Sequence, residues 1–180
     1  MSEERTPALS RLLLQLRSWA DSDSSEGRRA LSHLRRAASG EPAALLAAMR
    51  FVVPYLDAPE HQLDDALLLA SLFATHPDRG TASLGEAMGA VKELRNSESI
   101  ELRFTAMLQA ERADLPDHLR AAIALCRSQP VALDWSKMAE MIRYWDHPRA
   151  SEARGVRRRS ATDFWRRRND ATSPAKPLTP

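Results

Sequence analysis

The sequence predicts an all-α protein made of two small helical bundles packed in tandem, followed by a disordered C-terminal tail. Three observations favour this fold class. Apolar residues recur at helical spacing along most of the 180 residues. Pro, Gly, Ser and Asp separate these segments, as they do at helix ends. No stretch shows the alternation of apolar and polar residues that is typical of a half-buried strand.

The first bundle is predicted to span residues 1–95. Its helices are expected over residues 7–20, 26–38, 43–53, 62–75 and 83–94. Leu12, Leu16 and Trp19 give the first helix one apolar face, and the fourth helix is apolar enough to be buried. Gly85 and Gly89 weaken the fifth helix, so we expect another helix to approach it closely at these positions.

The second bundle is predicted to span residues 96–168. Ser97, Asp114 and Asp134 are suited to cap its first three helices, and residues 146–148 are expected to begin a basic last helix. Three side chains of the third helix are predicted to be core residues: Trp135, Met138 and Trp145. Residues 169–180 contain few apolar side chains and three prolines, so we expect a disordered tail.

Composition excludes several classes of protein. No segment approaches the length of uninterrupted apolar residues that a membrane span needs. The single cysteine, Cys126, rules out an internal disulfide and is typical of a reducing cytoplasm. Phosphate-binding glycine loops, zinc-protease motifs and metal-spaced Cys or His sets are missing from the sequence. We therefore predict a cytoplasmic protein that is not an enzyme and needs no cofactor or metal.

Basic side chains are the informative feature. The net charge is only +2, but residues 51–100 hold three basic and eight acidic side chains, whereas residues 143–180 hold ten basic and four acidic ones. Only three of the 26 basic residues are lysine. Arginine suits bidentate phosphate contact, and no helix carries a pattern of polar base readers. The sequence therefore predicts binding to phosphate backbones without sequence preference.

An alternative is that these arginines lie on solvated helix faces. The helices of residues 97–145 carry acids at positions where they would pair with the arginines: Glu101, Glu111, Asp117 and Glu140.

A family resemblance is carried by four segments in a fixed order, which read ELRFTAMLQAER, LPDHLRAAIAL, LDWSKMAEMIRYW and DFW. An earlier segment, MRFVVPYL at residues 49–56, lies in the expected place. The most specific part is Leu133-Asp134-Trp135, with Met138-Ala139 and Trp145 at set distances after it. Over residues 97–165 and this anchor the chain resembles the CasB family, the small subunit of the type I-E CRISPR surveillance complex Cascade.

This resemblance implies a non-catalytic role in antiviral defence. Small subunits of the family lie as a head-to-tail pair within Cascade, where they support the guide RNA and the target DNA and stabilise the displaced strand of the R-loop. The implied partners are the other Cascade subunits, a second copy of this chain, the guide RNA and both DNA strands, and no membrane. Cleavage belongs to a separate recruited enzyme.

The resemblance also selects candidate residues for nucleic-acid binding. Arg112 and Arg120 lie where the family carries basic residues, and Arg35 and Arg36 match a basic pair before residues 49–56. At Gln109, where the related motif often has a basic residue, this chain is neutral. The remaining candidates are Arg50, Arg103, Arg143, Arg157 and Arg158. We expect Arg112→Ala combined with Arg120→Ala to weaken DNA binding and to leave thermal stability nearly unchanged.

Two other functions remain open from the sequence. A helical adaptor would use its basic face to meet an acidic protein and would show no affinity for DNA. A helical DNA-binding regulator would prefer one sequence and would place a helix in a groove.

Overall fold

A computed structural model gives the fold and describes residues 9–152 and 155–166. The all-α prediction is confirmed. The α-helices of the described residues are α1 (Ser10–Asp21), α2 (Ser25–Ala37), α3 (Pro42–Val52), α4 (Pro59–Thr75), α5 (Leu84–Arg95), α6 (Glu98–Gln109), α7 (Leu115–Arg127), α8 (Trp135–Arg143) and α9 (Val156–Trp165). A 3-10 turn, Val53–Tyr55, follows α3, and one short strand, β1 (Arg79–Ala82), precedes α5.

Helix α4 lies at the centre of the fold. It contacts α1, α2 and α3 on one side and α7 and α8 on the other, so residues 66–74 are buried without interruption. Its Phe73 ring meets the Trp135 ring of α8 edge to face, with the ring centroids 5.3 Å apart. An apolar sequence around the whole helix is what such a surrounded position requires.

Helices α5 and α9 pack closely because α5 carries glycine where they meet. A Cβ atom on Gly85 would lie 2.2 Å from the Ser160 carbonyl oxygen, and one on Gly89 would lie 2.9 Å from that of Phe164. No side chain fits in such a space, so glycine permits backbone contact. The expected close approach of a second helix is confirmed, and that helix is α9.

Buried side chains from both halves of the chain form one contiguous cluster. It includes Leu16 and Phe73 from the first half and Trp135, Ile142 and Trp145 from the second. All three predicted core residues of α8 and its end are buried. The division into bundles at residues 95–96 stays a prediction.

The last helix begins later than the sequence predicts. Residues 146–152 form turns, in which the Ala150 amide donates to the His147 carbonyl at 2.7 Å. Helix α9 starts only at Val156. The Ala150 carbonyl accepts the Arg157 amide, which orients the start of α9. The tail predicted at residues 169–180, together with Arg167 and Arg168, lies outside the described residues.

Strand β1 is the other difference from the predicted elements. It forms parallel bridges with Leu133, and the Asp134 amide donates to the Ala82 carbonyl at 2.8 Å. Four residues are too few for an alternating pattern to be recognised in the sequence.

Candidate nucleic-acid interface

Three arginines surround His33 on the face formed by α2 and α3. Arg29, His33 and Arg36 are spaced four and three residues apart on α2, so they share one side of that helix. Arg50 comes from the last turn of α3, and its guanidinium donates to His33 Nε2 at 3.0 Å. We call Arg29, His33, Arg36 and Arg50 the His33 cluster.

Local packing fixes the position of the His33 cluster. The Phe51 ring lies 5.4 Å from the His33 ring and packs edge to face on Trp19. The Arg50 guanidinium lies over the Phe51 ring at 4.7 Å from its centroid, a favourable cation–π contact. Ser24 caps α2 by accepting the Gly27 amide at 3.0 Å, which stabilises the first turn of the helix that carries Arg29 and His33.

The electrostatics of the His33 cluster follow from these neighbours. Desolvation, and then the positive charges of Arg50, Arg36 and Arg29, lower the pKa of His33 below its ordinary value. An arginine is only a donor, so its bond to Nε2 fits a neutral imidazole. All three arginines are exposed. The His33 cluster is therefore a surface that concentrates positive charge around one imidazole.

Two predicted residues lie near the C-terminal end of α2 but outside the His33 cluster. Arg35 is exposed on α2, and its Nε donates to the Ala74 carbonyl at the end of α4 at 3.1 Å. Arg120 of α7 packs against Gly40 in the α2–α3 turn, where a Cβ would lie 2.7 Å from the guanidinium. It also pairs with Asp117, as the solvated-face alternative expects. Gly40 has φ 76°, a conformation that favours glycine, so this turn both admits Arg120 and joins α2 to α3.

Arg112 and Arg143 hold a partly buried acid. Both pair with Asp65 of α4, whose side chain is 14% exposed. Arg112 donates further to the Ile142 carbonyl at 2.5 Å, and Arg143 to the His61 carbonyl at 3.0 Å. Burial raises the pKa of Asp65, while the charges of the two arginines oppose that effect. The structure thus engages both guanidiniums in tertiary contacts, which disagrees with the expectation that removing Arg112 leaves stability unchanged.

Helix α9 carries three arginines: Arg157 makes tertiary hydrogen bonds, Arg159 pairs with Glu140, and Arg158 is exposed. Arg157 donates to the Trp145 and Leu108 carbonyls at 3.1 and 3.2 Å and lies 4.5 Å above the Trp145 ring. These contacts join α9 to the ends of α6 and α8. Arg158, one residue later, is exposed and forms no ion pair with any residue that the structure describes.

Arg103 lies apart from these groups. It is exposed on α6 and lines a small cleft toward α7, together with Phe104 and His118. Within residues 9–152 and 155–166 its side chain forms no ion pair. Its role in phosphate contact stays a prediction.

The structure adds Arg29 to the predicted residues. Its signal was in the sequence, because Arg29, His33 and Arg36 follow helical spacing. What the sequence lacked was the approach of α3, which brings Arg50 to the same side. No group of three or more candidate metal ligands occurs in the described part of the chain. Among the described helices, none has both the length and the apolar character needed to cross a membrane.

Comparison with known proteins identifies the family of the chain. The model of the family described as CRISPR-associated protein Cse2 matches residues 30–165. The chain belongs to the Cse2 family. The resemblance to CasB, inferred from the order of the motifs, is thereby confirmed, since solved structures of the same fold carry both names.

The chain is similar to known Cse2 and CasB proteins over most of its length. A curated Cse2 protein of Thermus thermophilus is 28% identical over 127 residues, which cover 68% of this chain and 73% of the relative. The crystal structure of a Cse2-family protein from the same organism is similar with TM-score 0.75 and 25% identity, covering 89% of this chain and 99% of that one. CasB from Thermobifida fusca shares the fold, with TM-score 0.67 at 21% identity over 87% and 94% of the two chains.

Proposed function

We propose that this Cse2-family chain is a non-catalytic small subunit of the type I-E Cascade complex that binds nucleic-acid backbone without sequence preference. Its partners are the other Cascade subunits, a second copy of itself, the guide RNA and the target and displaced DNA strands. It acts in the cytoplasm, where such complexes meet invading DNA. Family membership supports the assembly, and the His33 cluster supports the binding.

The His33 cluster is the observation that carries the proposal. Arg29, Arg36 and Arg50 are exposed around one imidazole, and Arg120 packs on Gly40 in the turn that joins α2 to α3. Like charges repel, so gathering them on one face costs free energy unless an anion is bound there. A phosphodiester backbone supplies regularly spaced anions, and arginine contacts them with two parallel hydrogen bonds.

Modest backbone contacts suffice for such a subunit. R-loop formation exchanges one duplex for another of similar stability, so a few phosphate contacts shift the balance toward the open state. A surface that ignores base identity suits this task, because the guide RNA provides the sequence specificity. Arg112, Arg143 and Arg157 contribute differently, since they fix the helices that present the exposed arginines.

Co-expression tests the assembly. The tagged chain is produced with the other Cascade subunits and a guide RNA, and the products are separated by size-exclusion chromatography. We expect elution in one large complex that contains RNA. Elution only as a 20.1 kDa species without RNA would overturn the proposal.

Matched variants test the surface. Arg36→Ala with Arg50→Ala removes two charges from the His33 cluster and should reduce binding of nonspecific DNA about tenfold to a hundredfold, if each charge contributes about 1 kcal/mol. Arg11→Ala with Arg28→Ala is the control. It removes the same charge from exposed ion pairs with Asp57 and Asp23 and should change binding little. Equal losses in both double variants would contradict a localised binding surface.

A further inference from the structure

Trp165 differs from the other tryptophans of the chain. Trp19, Trp135 and Trp145 are 5%, 1% and 0% exposed, whereas Trp165 is 49% exposed. It is also the one aromatic among the large exposed apolar side chains of the described residues. The exposed half of this indole is apolar surface that a stacked ligand would remove from water.

The contacts of Trp165 fix its ring but do not cover it. Its Nε1 donates to Glu101 Oε1 of α6 at 3.0 Å. Phe104 and Phe164 stack on each other with centroids 4.3 Å apart, and Trp165 meets both of them edge to face. Phe164 is the buried aromatic side chain in the last turn of α9. Trp165 is thus held in one orientation above an aromatic pair, with half of its surface in water.

Arg158 supplies positive charge on the face of α9 that carries Trp165. Lys92 of α5 pairs with both Glu98 and Glu101, and its hydrogen bond to Glu101 lowers the pKa of Glu101. Arg158, Thr162 and Trp165 are four and three residues apart on α9 and are all exposed, so an unpaired cation lies on the face that the indole shares. Among the described residues Arg158 has no acidic partner.

We propose that Trp165 is a stacking platform for a base of single-stranded nucleic acid, with Arg158 contacting the adjacent phosphate. The proposal rests on the proposed function and extends it from phosphate contact to base contact. Aromatic side chains stack on bases of any identity, so the platform binds single strands without sequence preference. Bases in a duplex are already stacked, so the platform selects the unpaired strand.

The test uses the isolated full chain and three probes: a single-stranded oligothymidine, an abasic oligomer of the same length and a duplex. Because the other three tryptophans are buried, quenching of tryptophan fluorescence reports on Trp165. We expect quenching with oligothymidine and little with the abasic oligomer or the duplex. Trp165→Leu should weaken oligothymidine binding about thirtyfold, near the middle of the range for one stacked base, and leave abasic binding unchanged.

Trp165→Phe is the matched variant. It keeps an aromatic ring and should keep most of the affinity for oligothymidine. Equal loss in the Leu and Phe variants, or binding of oligothymidine without quenching, would overturn the platform while phosphate binding stands. Failure of the wild-type chain to bind any of the three probes would overturn the proposed function as well. Loss of complex assembly in Trp165→Leu without any change in DNA binding would show instead that Trp165 is a protein contact.

Discussion

Arg112 and Asp65 form an ion pair across 47 residues of sequence, between the loop before α7 and the middle of α4. The same guanidinium donates to the Ile142 carbonyl at the end of α8. One side chain therefore joins three parts of the fold. An arginine used in this way reaches a phosphate only by leaving a partly buried carboxylate without one of its two charge partners.

Arg112→Ala is expected to lower the free energy of unfolding by about 2 kcal/mol, the usual cost of removing a hydrogen bond to a charged group that is partly buried. Urea denaturation measures this change. The control is Arg11→Ala, whose ion pair with Asp57 is exposed, and its loss should stay below about 1 kcal/mol. A stable Arg112→Ala variant with impaired DNA binding would instead support the phosphate role that the sequence suggested.

Salt dependence distinguishes phosphate binding from contact with an acidic protein or a preferred DNA sequence. With about six phosphate contacts, the logarithm of the affinity for duplex DNA should fall with the logarithm of salt concentration at a slope near −5. Arg36→Ala should reduce the magnitude of this slope by about 1, because one phosphate contact is lost. Fluorescence anisotropy at several salt concentrations gives both slopes. A flat response would exclude backbone binding.

Gly85→Ala is expected to destabilise the protein, although alanine is the better helix former by about 1 kcal/mol. The added Cβ would lie 2.2 Å from the Ser160 carbonyl oxygen, so α5 and α9 must separate. We expect a loss of about 1–3 kcal/mol, as in other overpacked sites. Glu93→Ala on the exposed side of α5 is the control and should be nearly neutral. A stabilised Gly85→Ala variant would mean that the two helices pack less closely.

The helices were predictable because their signals are local. Leu12, Leu16 and Trp19 specify the buried face of α1 by spacing alone, and Gly85 and Gly89 indicated a close helix contact before its partner was known. The ends of the helices were harder to predict. Residues 146–152 form turns instead of the start of the last helix. Their hydrogen bonds form around the buried Ala150, and the local sequence does not indicate that this residue is buried.

The candidate site was only partly predictable, because it depends on approach between distant segments. Arg36 and Arg50 were selected for their charge, but only the packing of α3 on α2 brings Arg50 to His33. From the sequence, Arg112 and Arg120 were equally good candidates for phosphate contact. Tertiary contacts separate them, since Arg112 meets the partly buried Asp65 while Arg120 meets the exposed Asp117.

Binding of DNA should become tighter as the pH falls through the range below 6.5, the ordinary pKa of histidine. In the free protein, desolvation and the charges of Arg50, Arg36 and Arg29 hold the pKa of His33 below that value, so the ring stays neutral to a lower pH than an ordinary histidine. Phosphates beside the ring favour its protonated form and raise its pKa in the complex. A group with a higher pKa in the complex takes up a proton on binding, which strengthens binding as protons become available. At a pH high enough for the ring to be neutral in both states, the affinity should be constant.

His33→Gln separates this effect from other titrations. The glutamine oxygen accepts the Arg50 hydrogen bond but does not titrate, so the affinity of this variant should show a flatter pH profile below pH 6.5 while matching wild type at pH 8. Because the native fold favours neutral His33, the stability of the wild-type chain also decreases as the pH falls below 6.5. Circular dichroism at each pH therefore accompanies the binding measurement. Identical pH profiles for wild type and His33→Gln would remove His33 from the binding surface.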